Sequence, residues 1–419
     1  MVSHHEAGIR YAKYYNTINQ EANDLYLQGG NTALEGLSLF DREWENIKFG
    51  QAWASGLASK DDAAANMTND YALSGAYILE LRQHPRDRLR WREVALAAAR
   101  RLKNHSIEAA HLVNLGITYK DLGQLHQSIK LFQRANKIYR ELSDKEGESA
   151  ALGNLGWAYK YLGQTDLAVK YHERALKLDR EIGNRRGEAN DLGNLGNDYE
   201  ALGQVRRASI FYEQSLGIMK EIGDLRGEAK ALNGLGNTYY LLGEFQRAKE
   251  FHEQRLIISR QIGDRRGEGI TLGNLGLAFS ALGELDKAID CYNQRLIVAR
   301  EVGDFRGTAN AMGNLGLIYT EIGELQRAIE LFELQLMIAR EIGDRYGESN
   351  ALGNLGNAYH ILDVIQQAVN YHKQALAIDR EIGDRRGEGR DLCNLGSDYA
   401  ASNKIHDALE CFELVACQA

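Results

Sequence analysis

From residue 107 onward, apolar and small residues return at spacings of three and four, and the same polar punctuation interrupts them at one constant interval. In the unit that begins near Gly227, Leu232, Leu235, Gly236 and Tyr239 share one helical face, and Gly243 supplies a left-handed stop. A second stretch carries Phe245, Ala248, Phe251, Leu256 and Ile262 and ends at Gly263, after which Asp264 offers a side-chain acceptor to the free amides of the next helix. Each unit is therefore predicted to be a pair of helices, with Gly236 and Ala248 small enough to let the two approach closely. Such a pair cannot bury its apolar face alone, so neighbouring pairs must stack into a solenoid.

The register is unbroken. Asn-Leu-Gly starts at Asn114, Asn154, Asn194, Asn274, Asn314, Asn354 and Asn394, and the eighth copy reads Gly234-Leu235-Gly236. An aromatic column runs from Tyr119 to Tyr399, with Phe279 as its one phenylalanine, and a small-residue column runs from Ser128 to Ala408. Residues 1–106 have helical periodicity without this 40-residue step. Helices are expected over 6–28, 32–58, 61–83 and 85–103, with Gly29-Gly30 and Pro85 as breaks. The expected division is an N-terminal helical segment (1–58), a divergent helical hairpin (59–106) and eight repeats (107–419), the last cut short at Ala419. That truncation leaves Leu409, Phe412 and Val415 without a polar capping helix, an end that either further chain or another surface, as in self-association, is expected to cover.

Composition narrows the class. There is one proline among 419 residues, against 43 glycines of which only seven precede residue 107, as glycine-capped helices require and as disorder and collagen do not allow. A net charge of −8 argues against nucleic acid or an anionic membrane as the main partner. No signal peptide and no apolar run of membrane-spanning length is present, so a cytoplasmic location is expected. Cys291, Cys393, Cys411 and Cys417 form no CxxC pair, in keeping with free thiols in a reducing compartment.

Leu-Gly, the aromatic three residues later and the small residue nine further on resemble tetratricopeptide repeats. The 40-residue step and the Leu-Gly-Asn signature resemble the longer subclass of kinesin light chains and spindle-orientation scaffolds. Gly-Asp and a longer second helix stand where that family usually ends a unit with proline. The resemblance spans residues 107–419 and implies an all-α, right-handed superhelical solenoid whose first helices line a concave, partner-binding face. The segment from Asn23 through Ala54, with Leu25-Tyr26-Leu27-Gln28-Gly29-Gly30 and Phe40-Asp41-Arg42-Glu43-Trp44, is similar to the junction before the repeats of bacterial STAND signal-transduction NTPases. This implies the C-terminal sensor region of such a regulator, although no GxxxxGK[ST] phosphate loop occurs in the chain.

On the concave face the asparagine column (Asn114, Asn154, Asn194, Asn274, Asn314, Asn354, Asn394) is joined by Asn197, Asn237 and Asn357. A carboxamide both donates and accepts, so it can pair with a peptide backbone of any sequence. The glycines directly before five of these asparagines (Gly153, Gly193, Gly273, Gly313, Gly353) cost about 1 kcal/mol of helix propensity each, and leave backbone bare for close approach. Trp157, Tyr161, Lys230 and Arg390 would then supply selectivity. The competing reading is that each amide bonds its neighbouring helix and the glycines only permit packing.

Other candidates are weaker. The aromatic column is assigned to the core. Arg-Glu pairs such as Arg180-Glu181 read as a solvated or inter-repeat ion-pair ladder. Arg82, Arg86, Arg88, Arg90 and Arg92 can hold an acidic partner or, as the simpler account, bridge to nearby acids. His4-His5 sits at a fraying end, and Cys411 and Cys417 read as half-buried thiols. No HExxH, GxSxG or Cys-His signature appears, so neither enzymatic activity nor a cofactor or metal is expected. Two function classes stand: a scaffold that binds a protein or peptide in the groove, and a self-associating scaffold without a groove ligand. Small-molecule and pheromone-like peptide ligands are compatible with the first, since fold does not fix function.

Overall fold

A computed structural model describes residues 3–28 and 30–418. Every regular element among them is a helix. The chain forms two compact units, residues 1–243 with 261–263 and residues 244–260 with 264–419, called unit 1 and unit 2.

Unit 1 opens with α1 (His4–Gln28), α2 (Gly30–Leu57), α3 (Asp62–Ser74), α4 (Ala76–Arg82) and α5 (Pro85–Arg101). The helix expected over 61–83 is broken at Gly75. Two buried asparagines of α1 account for the break: Asn19 Nδ2 donates to the Tyr71 carbonyl at 3.4 Å, and Asn23 Oδ1 accepts from the Tyr77 and Ile78 amides at 3.1 and 3.2 Å. A Cβ on residue 75 would lie 2.4 Å from Asn19 Oδ1, so only glycine admits that side chain. Around this break Phe40, Ile47, Tyr71 and Ile78 form a core, and the Tyr71 hydroxyl donates to the Ala12 carbonyl at 2.7 Å. Gly29 and the Cys417 side chain lie outside the described residues.

Unit 1 continues with α6 (His105–Asp121), α7 (Leu125–Glu141), α8 (Lys145–Tyr161), α9 (Thr165–Ile182), α10 (Arg185–Ala201), α11 (Val205–Glu221) and α12 (Leu225–Leu241). Unit 2 holds α13 (Phe245–Gln261), α14 (Arg265–Ala281), α15 (Leu285–Val302), α16 (Phe305–Glu321), α17 (Leu325–Glu341), α18 (Arg345–Ile361), α19 (Ile365–Ile382), α20 (Arg385–Ala401) and α21 (Ile405–Gln418). From α6 to α12 in unit 1 and from α14 to α21 in unit 2, each helix packs against the next in the chain. The turns are as the sequence requires. Gly243 and Gly263 have φ of +76° and +69°, and Asp224, Asp264 and Asp304 each cap the next helix by accepting from the amide of Gly227, Gly267 or Gly307. The cap folds back so tightly that a Cβ on Gly307 would meet the Asp304 carboxylate at 2.1 Å. Asp304→Ala is expected to lower the stability of unit 2 by about 1 kcal/mol, read as a lower urea midpoint with an unchanged slope.

The aromatic column divides. Tyr199, Tyr239 and Phe279 are buried, whereas Tyr119, Tyr159, Tyr319, Tyr359 and Tyr399 are half-buried. Tyr159 stacks on Tyr171, Tyr199 on Phe211 and Tyr359 on Tyr371, with ring centroids 5.1–5.4 Å apart. The Arg-Glu ladder is present: Arg180 Nε meets Glu188 at 2.8 Å, Arg340 Nε meets Glu348 at 2.8 Å, and Lys145 reaches Glu181 at 3.0 Å. Of the arginine cluster, Arg82 pairs with Asp41, Arg88 with Asp121 and Arg92 with Glu80. Buried Arg92 also donates to the Asn114 carbonyl at 2.5 Å, which ties α5 to α6. His5 is not left at a frayed end, since α1 begins at His4 and His5 Nε2 lies 3.3 Å from Asp61. No helix is long and apolar enough to cross a membrane among the described residues.

Candidate functional site

The first helices of the hairpins place the asparagine column half-buried along one face of each unit. In unit 1 the space in front of α8, α10 and α12 is an open cavity of about 750 Å³. Asn154, Trp157, Asn194, Asn197, Lys230 and Asn237 all line it; Asn114 and Tyr161 do not. The Asn114, Asn194, Asn314, Asn354 and Asn394 side chains make no hydrogen bond among the described residues, so helix packing does not use up the column. Asn154 donates only to the Ala150 carbonyl of its own helix, at 2.9 Å, which leaves its amide oxygen open. Asn197 donates to the Gly193 carbonyl and accepts from the Tyr212 hydroxyl. Asn274 and Asn237 are engaged, and Asn357 Oδ1 lies 3.2 Å from His372 Nε2.

The bare glycines are of two kinds. A Cβ on Gly153 or Gly193 would meet nothing closer than 3.6 Å, so the backbone there is open to the cavity. In unit 2 a Cβ on Gly273 would strike Arg295, and one on Gly313 would lie 2.7 Å from Gln335 Oε1. Gly273 and Gly313 therefore make room for the chain's own side chains, a correction to the expectation that all of the glycines face a ligand, whereas a Cβ on Gly353 would, as in unit 1, meet nothing closer than 3.6 Å. The difference lies in the second helices, where α9 and α11 carry Ala175 and Ser215 in the column that becomes Arg295 and Gln335 in α15 and α17.

The selectivity residues also divide. Trp157 stacks on exposed Tyr161 with centroids 3.8 Å apart, and Lys120 Nζ sits 4.5 Å above the Trp157 ring. This aromatic and cationic ledge closes one end of the cavity, and Lys230 stands exposed and unpaired at the other. Arg390 is committed within unit 2: Nε lies 3.2 Å from Asp391, Nη2 3.6 Å from Asp379, and Nη1 donates to Asn350 Oδ1 at 2.9 Å.

Two cavity residues went unread in the sequence. Asp179 of α9 and Asp191 of α10 are 3% and 5% exposed and are neighbours at the cavity floor. Ser149 and Asn184 donate to Asp179, each at 2.9 Å, while Asp191 Oδ2 has no partner. Burial first, and then the neighbouring Asp179 charge, pushes the Asp191 carboxyl up to about 9. The signal in the sequence was a broken column: Asp179 stands where other units carry Tyr139, Met219, Ser259, Ala299 and Ala339, and Asp191 where they carry Ala151, Ala231, Ala311 and Ala351. No group of side chains suited to a metal ion occurs among the described residues. Buried Cys291 has its thiol pushed up to about 11 by desolvation, which makes it inert, and Cys411 is buried with its thiol raised for the same reason.

The tetratricopeptide repeat signature matches residues 106–181, 161–221, 227–301, 267–341, 307–381 and 347–415. The chain belongs to the tetratricopeptide repeat family. No curated protein sequence matches it. Among solved structures, this tetratricopeptide chain is similar to a STAND signal-transduction ATPase with a tetratricopeptide repeat sensor from Pyrococcus horikoshii. That likeness has 15% identity and a TM-score of 0.63, and covers 83% of this chain and 52% of that one, so the chain spans about half of that protein. It is similar as well to the apo quorum sensor NprR from B. thuringiensis, with 16% identity, 82% and 96% coverage and a TM-score of 0.58. A Rap protein complexed with Competence and Sporulation Factor gives 13% identity, 89% and 99% coverage and a TM-score of 0.55. At these identities the likeness is one of fold.

Proposed function

We propose that this tetratricopeptide protein is a binding scaffold whose unit 1 cavity holds an extended polypeptide, and that it serves as the ligand-sensing part of a STAND-type regulator. The observation that carries the reading is the free Asn194 carboxamide, set beside open Gly153 and Gly193 backbone in a cavity of about 750 Å³. Paired with the open oxygen of Asn154, it can meet a backbone amide and carbonyl of any passing strand. The Trp157 ledge and Lys230 then read the side chains. The sensor and quorum-sensor names of two of these neighbours, and the factor held by the Rap protein, support this choice over a scaffold that only self-associates.

The test is Asn154→Ala with Asn194→Ala, assayed against an immobilised library of random decapeptides. Two lost hydrogen bonds of about 1 kcal/mol each predict binding weakened about tenfold or more. Neither amide supports a second helix, so melting should move by no more than a degree or two. Retention of the bound peptides at undiminished strength would remove the groove reading, and a large loss of stability would assign the amides to packing. A concentration-dependent rise in molecular mass with no retained peptide would favour the self-associating scaffold.

A further inference from the structure

The carboxyl pair at the cavity floor occurs twice in the chain, once in each unit, and the two copies differ in the groups that satisfy them. Asp379 and Asp391 of unit 2 take the places of Asp179 and Asp191, are equally buried, and sit beside His372 and Asp398 as the first pair sits beside His172 and Asp198. In unit 2 the pair is closed from the exposed side by the Arg390 guanidinium, which reaches both carboxylates and is steadied by Asn350. A Cβ on Gly353 would lie 3.6 Å from Asp391 Oδ1 and 3.9 Å from Arg390 Nη2, so the missing side chain leaves space for that guanidinium.

In unit 1 the acid pair and the bare glycine are retained without the cation, and Asn184, where unit 2 has Asp384, donates to Asp179 instead. Gly153 stands in the place of Gly353, with the same 3.6 Å from a Cβ to Asp191 Oδ1. Asn190 replaces Arg390 and Ala150 replaces Asn350, and both line the open cavity. Asn184 and Ser149 satisfy Asp179, but among the described residues no cation meets Asp191 Oδ1, which lies beside Gly153 as Asp391 Oδ1 lies beside Gly353 and Arg390; Oδ2 is unpartnered in both copies, and the Asp191 side chain is 95% buried at the floor of that cavity. A half-satisfied buried carboxyl is costly, and a positively charged hydrogen-bond donor is the partner that would relieve it.

We infer that unit 1 binds a cationic side chain of its polypeptide ligand, an arginine or lysine, whose head group enters beside Gly153 and pairs with Asp191 and Asp179 where unit 2 uses its own Arg390. This rests on the groove reading above and adds to it the charge of one ligand residue. A neutral cavity floor would suit any strand, whereas this one selects for a basic residue.

Two measurements test it, one of which needs no ligand. Asn190→Arg places a guanidinium on the same helix position as Arg390, and Asn310→Arg does so where Ala299 and Ala311 replace the acids. The first is expected to raise the melting temperature at pH 8 by several degrees and the second to leave it unchanged. Equal effects of the two would overturn the inference, because the floor of unit 1 would then have no preference for a cation. In the second measurement, fluorescein-labelled Ala-Ala-Arg-Ala-Ala is compared with the same peptide carrying citrulline, which keeps the shape and loses the charge. The arginine peptide is expected to bind at least tenfold tighter to the wild type, and the preference to vanish in Asn190→Arg and in Asp191→Asn. Binding of both peptides with equal strength would overturn the cation while leaving the groove intact. Binding of neither, together with no binding of the decapeptide library, would overturn the groove reading, and the cation inference with it.

Discussion

Gly316→Ala is expected to cost unit 2 about 3 kcal/mol or more, although alanine is the better helix former by about 1 kcal/mol. The added Cβ would lie 2.4 Å from Phe332 Cε1 and 2.8 Å from Cδ1, and that ring is 1% exposed inside the α16–α17 hairpin. The ring is packed against Leu352, Leu355 and Ala328 and has nowhere to turn. The same relation recurs along the chain: a ring from the second helix covers the glycine of Leu-Gly, as Phe132 covers Gly116, His172 covers Gly156 and Tyr212 covers Gly196. The glycine that precedes the motif's asparagine behaves in the opposite way. Gly193→Ala would meet only Ser215 Oγ at 3.6 Å, an ordinary contact, and should stabilise unit 1 by up to about 1 kcal/mol. All four tryptophans (Trp44, Trp53, Trp91 and Trp157) belong to unit 1. Tryptophan fluorescence therefore reports the Gly193→Ala gain, and far-ultraviolet circular dichroism the Gly316→Ala loss. A Gly316→Ala protein that melts within a degree of the wild type would mean that the ring-over-glycine contact is not what fixes the hairpin.

These two glycines also mark what could be read from the chain without coordinates. The hairpins, their caps at Asp224, Asp264 and Asp304 and the left-handed stops at Gly243 and Gly263 were legible because each depends on residues close in sequence and repeats with a fixed step. Which asparagines face open space was not. That depends on the second helix of the hairpin, where Ala175 and Ser215 leave a cavity and Arg295 and Gln335 fill it, a pairing of columns that lie on different helices. The break at Gly75 was hidden for a similar reason, since the buried Asn19 and Asn23 that cause it arrive from α1. Arg390 looked like a free selectivity residue because its partner Asp379 lies on the preceding helix and its brace Asn350 one full repeat earlier. The acid pair was overlooked because periodicity draws the eye to residues that recur, whereas Asp179 and Asp191 carry their information by departing from their columns.

That departure has a consequence for stability that Asp191→Asn should expose. The folded protein holds the Asp191 carboxyl up to about 9, while an unfolded chain releases that proton near 3.9. Between those values the folded state binds a proton that the unfolded state does not, so the stability tied to this site is complete below about pH 4 and is lost as pH rises towards 9. The other charged groups of the cavity lining are Lys120, Glu146, Asp179, Arg186, Glu200 and Lys230, and of these Asp179 acts on it most. Asparagine keeps the shape but has no proton to lose. The variant is therefore expected to match the wild type at pH 4.5 and to exceed it by about 2–4 kcal/mol at pH 8, seen as a melting temperature several degrees higher in tryptophan fluorescence. In unit 2, burial raises the Asp391 carboxyl only to about 6, because the Arg390 charge works against the desolvation. The loss there is complete by about pH 6, so Asp391→Asn should gain less and show no further change above that pH. A melting gain for Asp191→Asn that is the same at pH 4.5 and pH 8 would mean that the buried carboxyl is already charged in the folded chain, with its compensation built into unit 1 and no cation left for a ligand to supply.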